Sequence, residues 1–150
     1  MALRSRAHDQ LVERVVARLP ELPQPWSIED FIDRLGSVRG RPILVWPYAM
    51  TSGLTGMWYP DTAVDHIFVT KAATGRYRDA VILHEACHVI LKHGIDTCYD
   101  ANLDIPIRHS NLLEERIAED FAITVLNVAD QRAYLRGRSQ LAKSFGARYA

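Results

Sequence analysis

The residues best suited to chemistry lie in one short motif, His84-Glu85-Ala86-Cys87-His88, which has the form H-E-x-x-H. Four residues turn a helix by about 400°, so the two histidines lie on one face, one turn apart. Both imidazoles can then bind one metal ion, and zinc is the metal that this pattern favours. Glu85 lies in the neighbouring sector, where its carboxylate can take a proton from a water whose pKa the metal lowers to ~7. The same pattern also arises by chance on amphipathic helices.

A catalytic zinc site needs a third protein ligand, and the sequence offers several candidates. His93 follows His88 by five residues, about 140° around a helix, so it points away unless the helix has ended. Cys87 is offset from the face of the two histidines and is predicted to be a small buried hydrophobic residue. Downstream, Glu115 and Glu119 lie one turn apart, so that one can bind zinc while the other accepts the free N–H of a zinc-bound histidine. A solvated acidic face is the alternative for this pair.

The first half of the chain is predicted to form two helices followed by a small sheet. Apolar residues recur at helical spacing over 6–19 and 28–36, and β-rich runs over 42–46, 54–59 and 66–70 predict three strands. The tight links between these strands indicate an antiparallel meander. If the third strand lies at the sheet edge, it could hold an extended substrate by strand addition; an interior position is the alternative.

The second half is predicted to be helical and to carry the chemistry. A helical period over 76–94 contains the H-E-x-x-H motif, and a polar loop covers 95–110. A capping-box pattern opens a further helix over 111–128, followed by a short helix over 130–136. Together these elements predict an α+β fold in which the motif helix packs against a C-terminal helix that bears the glutamates.

Chain length and net charge limit the domain organisation and the binding partners that this protein can have. A chain of 150 residues suits one domain, predicted over 1–136, with a basic tail over 137–150. The 18 basic and 18 acidic residues balance, which argues against direct nucleic-acid binding by the whole domain. From residue 131 onward there are five basic and no acidic residues, which indicates a solvated end or a contact for an acidic partner.

Cysteine use and hydropathy indicate the compartment. Cys87 and Cys98 do not form a C-x-x-C pair and do not resemble the disulfide framework of a secreted domain. No apolar run approaches the length of a membrane span. We therefore expect a cytoplasmic protein that does not contact a membrane. The sequence does not indicate an oligomeric state.

Residues 81–122 resemble the ImmA/IrrE family of small zinc metallopeptidases, of the gluzincin type. That family pairs an H-E-x-x-H helix with a downstream helix of the form E-x-x-A-(N/D)-x-F-A, and this chain has Glu-Arg-Ile-Ala-Glu-Asp-Phe-Ala over 115–122. The resemblance implies three Zn²⁺ ligands, His84, His88 and Glu115. It implies Glu85 as the general base, and Glu119, at the usual Asn or Asp position, as a residue that supports a ligand.

The resemblance also implies an activity. It would be a zinc-dependent endopeptidase that hydrolyses a peptide bond in a specific regulatory protein, such as a helix-turn-helix repressor, with the water activated by zinc and Glu85. An oxyanion stabiliser is also expected, and His109, Tyr99 and Arg108 are candidates in the loop. The alternative function is a non-proteolytic interaction module, such as a toxin–antitoxin or regulatory component, with structural zinc. A helical DNA-binding domain is the weakest option because no cluster of basic residues marks a recognition helix.

Overall fold

Helices and strands combine in an α+β fold, as the sequence predicts. The structure is a computed structural model that describes residues 6–50, 53–92, 97–100, 105–108 and 112–149. Its helices are α1 (Arg6–Ala17), α2 (Ile28–Arg39), α3 (Gly75–Leu91) and α4 (Leu112–Tyr149). Its strands are β1 (Ile43–Tyr48), β2 (Gly56–Pro60), β3 (Asp65–Thr70), β4 (Thr97–Asp100) and β5 (Ile105–Arg108).

The three-stranded sheet is mixed, so the prediction of an antiparallel meander is wrong. The strand order is β1-β3-β2; β3 pairs in parallel with β1 and antiparallel with β2. Alternate residues of β3 are buried, including Ile67 and Val69, and burial of this face favours the middle of the sheet. The third strand is therefore interior and cannot bind a substrate by strand addition, whereas β2 lies at one edge of this sheet.

A buried carboxylate explains why β3 joins β1. Asp65, at the start of β3, accepts hydrogen bonds from Arg39 Nη1 at 2.9 Å and from Arg41 Nε at 3.0 Å, just before β1. It also accepts a bond from the Trp58 indole of β2 at 3.0 Å. Burial acts to raise the pKa of Asp65, but the bonds from Arg39, Trp58 and Arg41 outweigh burial and lower it. Asp65 thus ties the starts of β1 and β3 to β2, an arrangement that strand propensity alone does not reveal.

Helix α3 lies between the sheet and the first half of α4, and its side chains form the centre of the core. Leu83, Ala86 and Val89 of α3 are fully buried, as are Phe121 and Val125 of α4. The predicted packing of the motif helix against a C-terminal helix is therefore present. Apolar residues on both helices stabilise this contact, and the contact holds the motif in position.

The region before α4 is more regular than the sequence predicts. Within the predicted polar loop, β4 and β5 pair antiparallel, so that prediction is wrong for these residues. The two isoleucines of β5 are β-branched and suit a strand. The backbone of β5 also lies close to β2.

Helix α4 runs without a break through the boundaries predicted near 130 and 137, so the short helix over 130–136 and the tail are parts of one element. No glycine or proline occurs between 112 and 136 to stop it. Neither α4 nor any other helix in the described part of the chain is both long and apolar enough to cross a lipid bilayer.

Candidate metal centre

One carboxylate of α4 contacts both histidines of the motif. Glu115 Oε2 lies 2.8 Å from His84 Nε2, and Glu115 Oε1 lies 3.1 Å from His88 Nε2. The two imidazole rings lie 4.9 Å apart between centroids and meet edge to face at 73°. Their Nε2 atoms therefore converge on the two oxygens of the same carboxylate.

The distances and donor types fit zinc. Zinc bonds of about 2.0–2.1 Å to nitrogen and oxygen give a tetrahedron whose edges are about 3.3–3.4 Å. The two N···O distances, 2.8 and 3.1 Å, are within about 0.6 Å of that edge, so small shifts of the carboxylate would accommodate the ion. Two histidines and one glutamate are also a known donor set of catalytic zinc sites, which keep a fourth position open.

Local sequence explains how these three side chains meet. On α3, the spacing of four residues brings His84 and His88 to one face. Helix α3 ends at Leu91, where Lys92 adopts a left-handed conformation with φ of 54° and its N–H caps the carbonyls of His88 and Val89. On α4, Glu115 lies in the first turn, where the helix dipole favours a negative charge.

Glu85 is the buried acid of the site. Its potential ligand oxygen and the ring nitrogens of His84 and His88 lie within 4.8 Å of one another. Burial, and then the charge of Glu115, raise the pKa of Glu85 to about 8. A cation held by the adjacent histidines would favour the ionised form of Glu85. The carboxyl is therefore placed beside the candidate metal position, where it can accept a proton.

The backbone of β2 passes directly over Glu85. A Cβ atom built on Gly56 would lie 3.0 Å from Glu85 Cγ, 3.1 Å from Glu85 Oε1 and 2.8 Å from Val81 Cγ1. These distances are shorter than ordinary carbon contacts of ~3.5–4.0 Å. Only glycine leaves room here, so Gly56 is a residue of the site that the H-E-x-x-H pattern does not reveal. A glycine inside the strand predicted over 54–59 was the available signal.

The candidate site opens into a cleft of about 720 Å³. One wall is formed by residues 53–58 in and before β2, the floor by the face of α3 from Tyr77 to His88, and the other wall by α4 from Glu115 to Ile123. The volume lies in the range of ligand-binding clefts. The two histidines, Glu85 and Glu115 all line it, so a bound molecule would reach the candidate metal position.

The remaining sequence candidates have different locations. Glu119 is exposed and lines the cleft one turn after Glu115; its predicted role in supporting a ligand stays a prediction. Cys87 is fully buried in the core, as predicted, and burial, then Glu115 and Glu85, raise the pKa of its thiol to about 12. Its sulfur is not among the ligand atoms of the described residues that converge with those of His84 and His88.

The candidates from the predicted loop cannot be placed at the site. His109 and His93 lie outside the described residues. Tyr99 and Arg108 belong to β4 and β5, whose described part is the backbone. The oxyanion stabiliser therefore stays a prediction.

His8 is a further residue near the site that the H-E-x-x-H pattern does not reveal. Its Nε2 lies 2.7 Å from Asp120 Oδ2, and both side chains are largely buried between α1 and α4. Asp120 follows Glu119 directly, so α1 is attached to the segment of α4 that borders the site. The available signal was the helical spacing of His8 with Val12 and Val15, which share its buried face.

Comparison of the chain with models of protein families, with curated proteins and with solved structures finds no match. A class for this protein therefore depends on the geometry of the site and on the motif residues themselves.

Proposed function

We propose that this protein is a zinc-dependent endopeptidase that hydrolyses a peptide bond in a specific regulatory protein. The observation that carries the proposal is the contact of Glu115 with Nε2 of both His84 and His88, at 2.8 and 3.1 Å. The proposal includes membership of the ImmA/IrrE group, which the motif residues support, and a helix-turn-helix repressor as the class of substrate, which depends on that resemblance alone.

The roles of the residues follow from their positions. His84, His88 and Glu115 would hold the ion, and bound zinc would supply a Lewis acid that polarises a carbonyl and makes water more acidic. Glu85 takes a proton from the attacking water and then delivers it to the leaving amine nitrogen. Its side chain lines the cleft, and Gly56 leaves it the space to lie beside the histidines.

The open cleft favours catalysis over a purely structural ion. Structural zinc sites are closed by four protein ligands, whereas catalytic sites keep one position for water or substrate. Among the described residues, two histidines and one glutamate converge, and the same residues line a cleft of about 720 Å³. The edge strand β2 borders that cleft and is the strand we assign to an extended peptide.

The first experiment measures metal content. Protein purified after growth in zinc-replete medium is expected to contain about one zinc per chain by mass spectrometry, and Glu115→Ala should lose most of it. Glu114→Ala is the matched control, since it removes the same charge one residue earlier in α4, and it should retain zinc. Absence of zinc from the unaltered protein would overturn the proposal.

The second experiment separates an enzyme from a structural zinc module. Zinc-loaded protein is incubated with a library of fluorogenic peptides, beside Glu85→Gln. We expect the unaltered protein to cut members of the library and Glu85→Gln to retain zinc but lose at least 100-fold in kcat/KM. Equal cutting by Glu85→Gln would refute its role as base. If neither protein cuts but both bind zinc and a regulatory partner equally, the module is the correct function.

A further inference from the structure

The cleft exposes three large apolar side chains. Leu54 is 42% exposed, Tyr77 55% and Ile123 56%, and all three line the same cleft as the histidines. They come from three different elements: the segment before β2, the start of α3 and the middle of α4. Exposed apolar residues that converge on one concave surface mark a place where an apolar group binds.

The helices set the distance of Tyr77 and Ile123 from the candidate metal. Tyr77 precedes His84 by seven residues on α3, and Ile123 follows Glu115 by eight on α4. At 1.5 Å per residue these separations are about 10–12 Å along the helices. An extended peptide advances about 3.3 Å per residue, so this length corresponds to roughly three peptide residues.

Small residues line part of the cleft. Ala80 lies between Tyr77 and His84 on α3, and Ala122 on α4 also lines the cleft. Their methyl groups leave space for the backbone of a peptide. The cleft thus offers a passage close to the candidate metal and a wider apolar contact beyond it.

The charge of the cleft adds a second element of selectivity. Its titratable lining residues in the described part of the chain, apart from Tyr77, are two histidines and the carboxylates of Glu85, Glu115 and Glu119, with no lysine or arginine. Glu85 and Glu115 would face a bound cation, but Glu119 is exposed towards the passage. An acidic side chain on the ligand would therefore meet like charge.

Resting on the function proposed above, we infer that Leu54, Tyr77 and Ile123 form a subsite for a large apolar side chain about three residues from the scissile bond. The same cleft discriminates against an acidic side chain there. The substrate class is thus an extended peptide segment with leucine, phenylalanine or a similar residue at that distance from the cut.

The test uses peptides that differ at one position. Leucine, phenylalanine, alanine or aspartate is placed two or three residues to either side of a cleaved bond, and kcat/KM is measured with zinc-loaded protein. Leucine and phenylalanine should exceed alanine by about tenfold, as expected for an apolar pocket, and aspartate should be the poorest. Binding of the same peptides to zinc-loaded Glu85→Gln, followed by fluorescence anisotropy, should show the same order without turnover.

Variants connect the preference to the named residues. Ile123→Ala and Tyr77→Ala should each reduce the leucine-to-alanine ratio of kcat/KM to about two or three, while the zinc content stays that of the unaltered protein. Leu141→Ala is the matched control, because this leucine is equally exposed on α4 and does not line the cleft; it should leave the ratio unchanged.

The outcomes distinguish the subsite from the proposed activity. Cutting or binding that does not differ among the four peptides overturns the subsite and leaves the peptidase intact. Selective binding of the leucine and phenylalanine peptides without any cutting supports the subsite and refutes the peptidase. A ratio that persists in both cleft variants would assign the preference to other residues and overturn the inference.

Discussion

Replacement of Gly56 by alanine tests whether the sheet positions the candidate base. The added carbon would lie 2.8 Å from Val81 Cγ1 and 3.0 Å from Glu85 Cγ. Contacts between carbon atoms are most favourable at ~3.5–4.0 Å, so the distance between the added carbon and Val81 Cγ1 must increase by roughly 0.7 Å. Both neighbours are held in the packed interface between β2 and α3, and β2 cannot move away freely because it is paired along its length with β3.

The magnitude follows from two opposing effects. An extra methyl group in a packed core destabilises by about 1–3 kcal/mol, whereas alanine is favoured over glycine within a strand by roughly 0.5–1 kcal/mol. We expect Gly56→Ala to lower the free energy of unfolding by about 1–2 kcal/mol, which is roughly 2–8 °C in melting temperature for this chain length. Displacement of Glu85 beside His84 should also weaken zinc binding by about tenfold.

The assay is urea unfolding together with competition for zinc against a chelator. Gly137→Ala is the control, because its added carbon meets nothing within 4 Å and should stabilise the exposed part of α4 by up to about 1 kcal/mol. Val81→Ala removes the closest contact, so combined with Gly56→Ala it should cost less than the sum of the two changes. If the losses of stability from Val81→Ala and Gly56→Ala simply add in the double variant, the steric argument is refuted. Unchanged stability and zinc affinity in Gly56→Ala would refute it as well.

Three further changes test the packing around the site. His8→Ala deprives Asp120 of its imidazole partner and should lower the free energy of unfolding by about 1–3 kcal/mol in urea; no change would show that the contact is dispensable. Because the folded pKa of Asp65 is lowered, its contribution is present above the unfolded pKa of ~3.9 and is lost as pH falls through the folded value. The stability difference between Asp65→Asn and the unaltered protein should therefore shrink between pH 6 and pH 3, and a constant difference would contradict this. With Cys98 changed to serine, Cys87 should react with a thiol reagent at pH 8 only after unfolding, since its thiol is buried and its pKa is about 12; rapid reaction of the folded protein would be inconsistent with this burial.

The elements that local patterns specify strongly are those that the sequence predicts well. The apolar period over α3 and the H-E-x-x-H spacing suffice to place both histidines on one face, because helix geometry depends only on residue number. Helices α1 and α2 are likewise found within a few residues of their predicted ends. The approach of Glu115 to the histidines required more than spacing, since it depends on how two helices pack.

The features that the sequence does not predict depend on contacts between distant segments. Whether β1 pairs with β2 or β3 is decided by Asp65 and its arginine partners, which no period of apolar residues encodes. The pairing of β4 with β5 is not predicted because polar residues surround both strands in the sequence. Helix α4 continues past residue 130, although its exposed half lacks the stripe of buried residues by which a helix is recognised. The sequence does not predict the space above Glu85 either, because Gly56 on another element creates it.

The candidate site depends on the rotation of α4 about its own axis, and two contacts on different sides of that helix fix it. Asp120 follows Glu115 by five residues, about 140° around the helix, and it faces His8 of α1 while Glu115 faces the histidines of α3. Phe121, six residues after Glu115, is fully buried on the remaining side of α4 and opposes rotation of the helix. An ion that bridges α3 and α4 would bind only when this packing is formed, so its binding free energy would add to the stability of the helix pair. Helix α1 therefore supports the metal centre without contacting it.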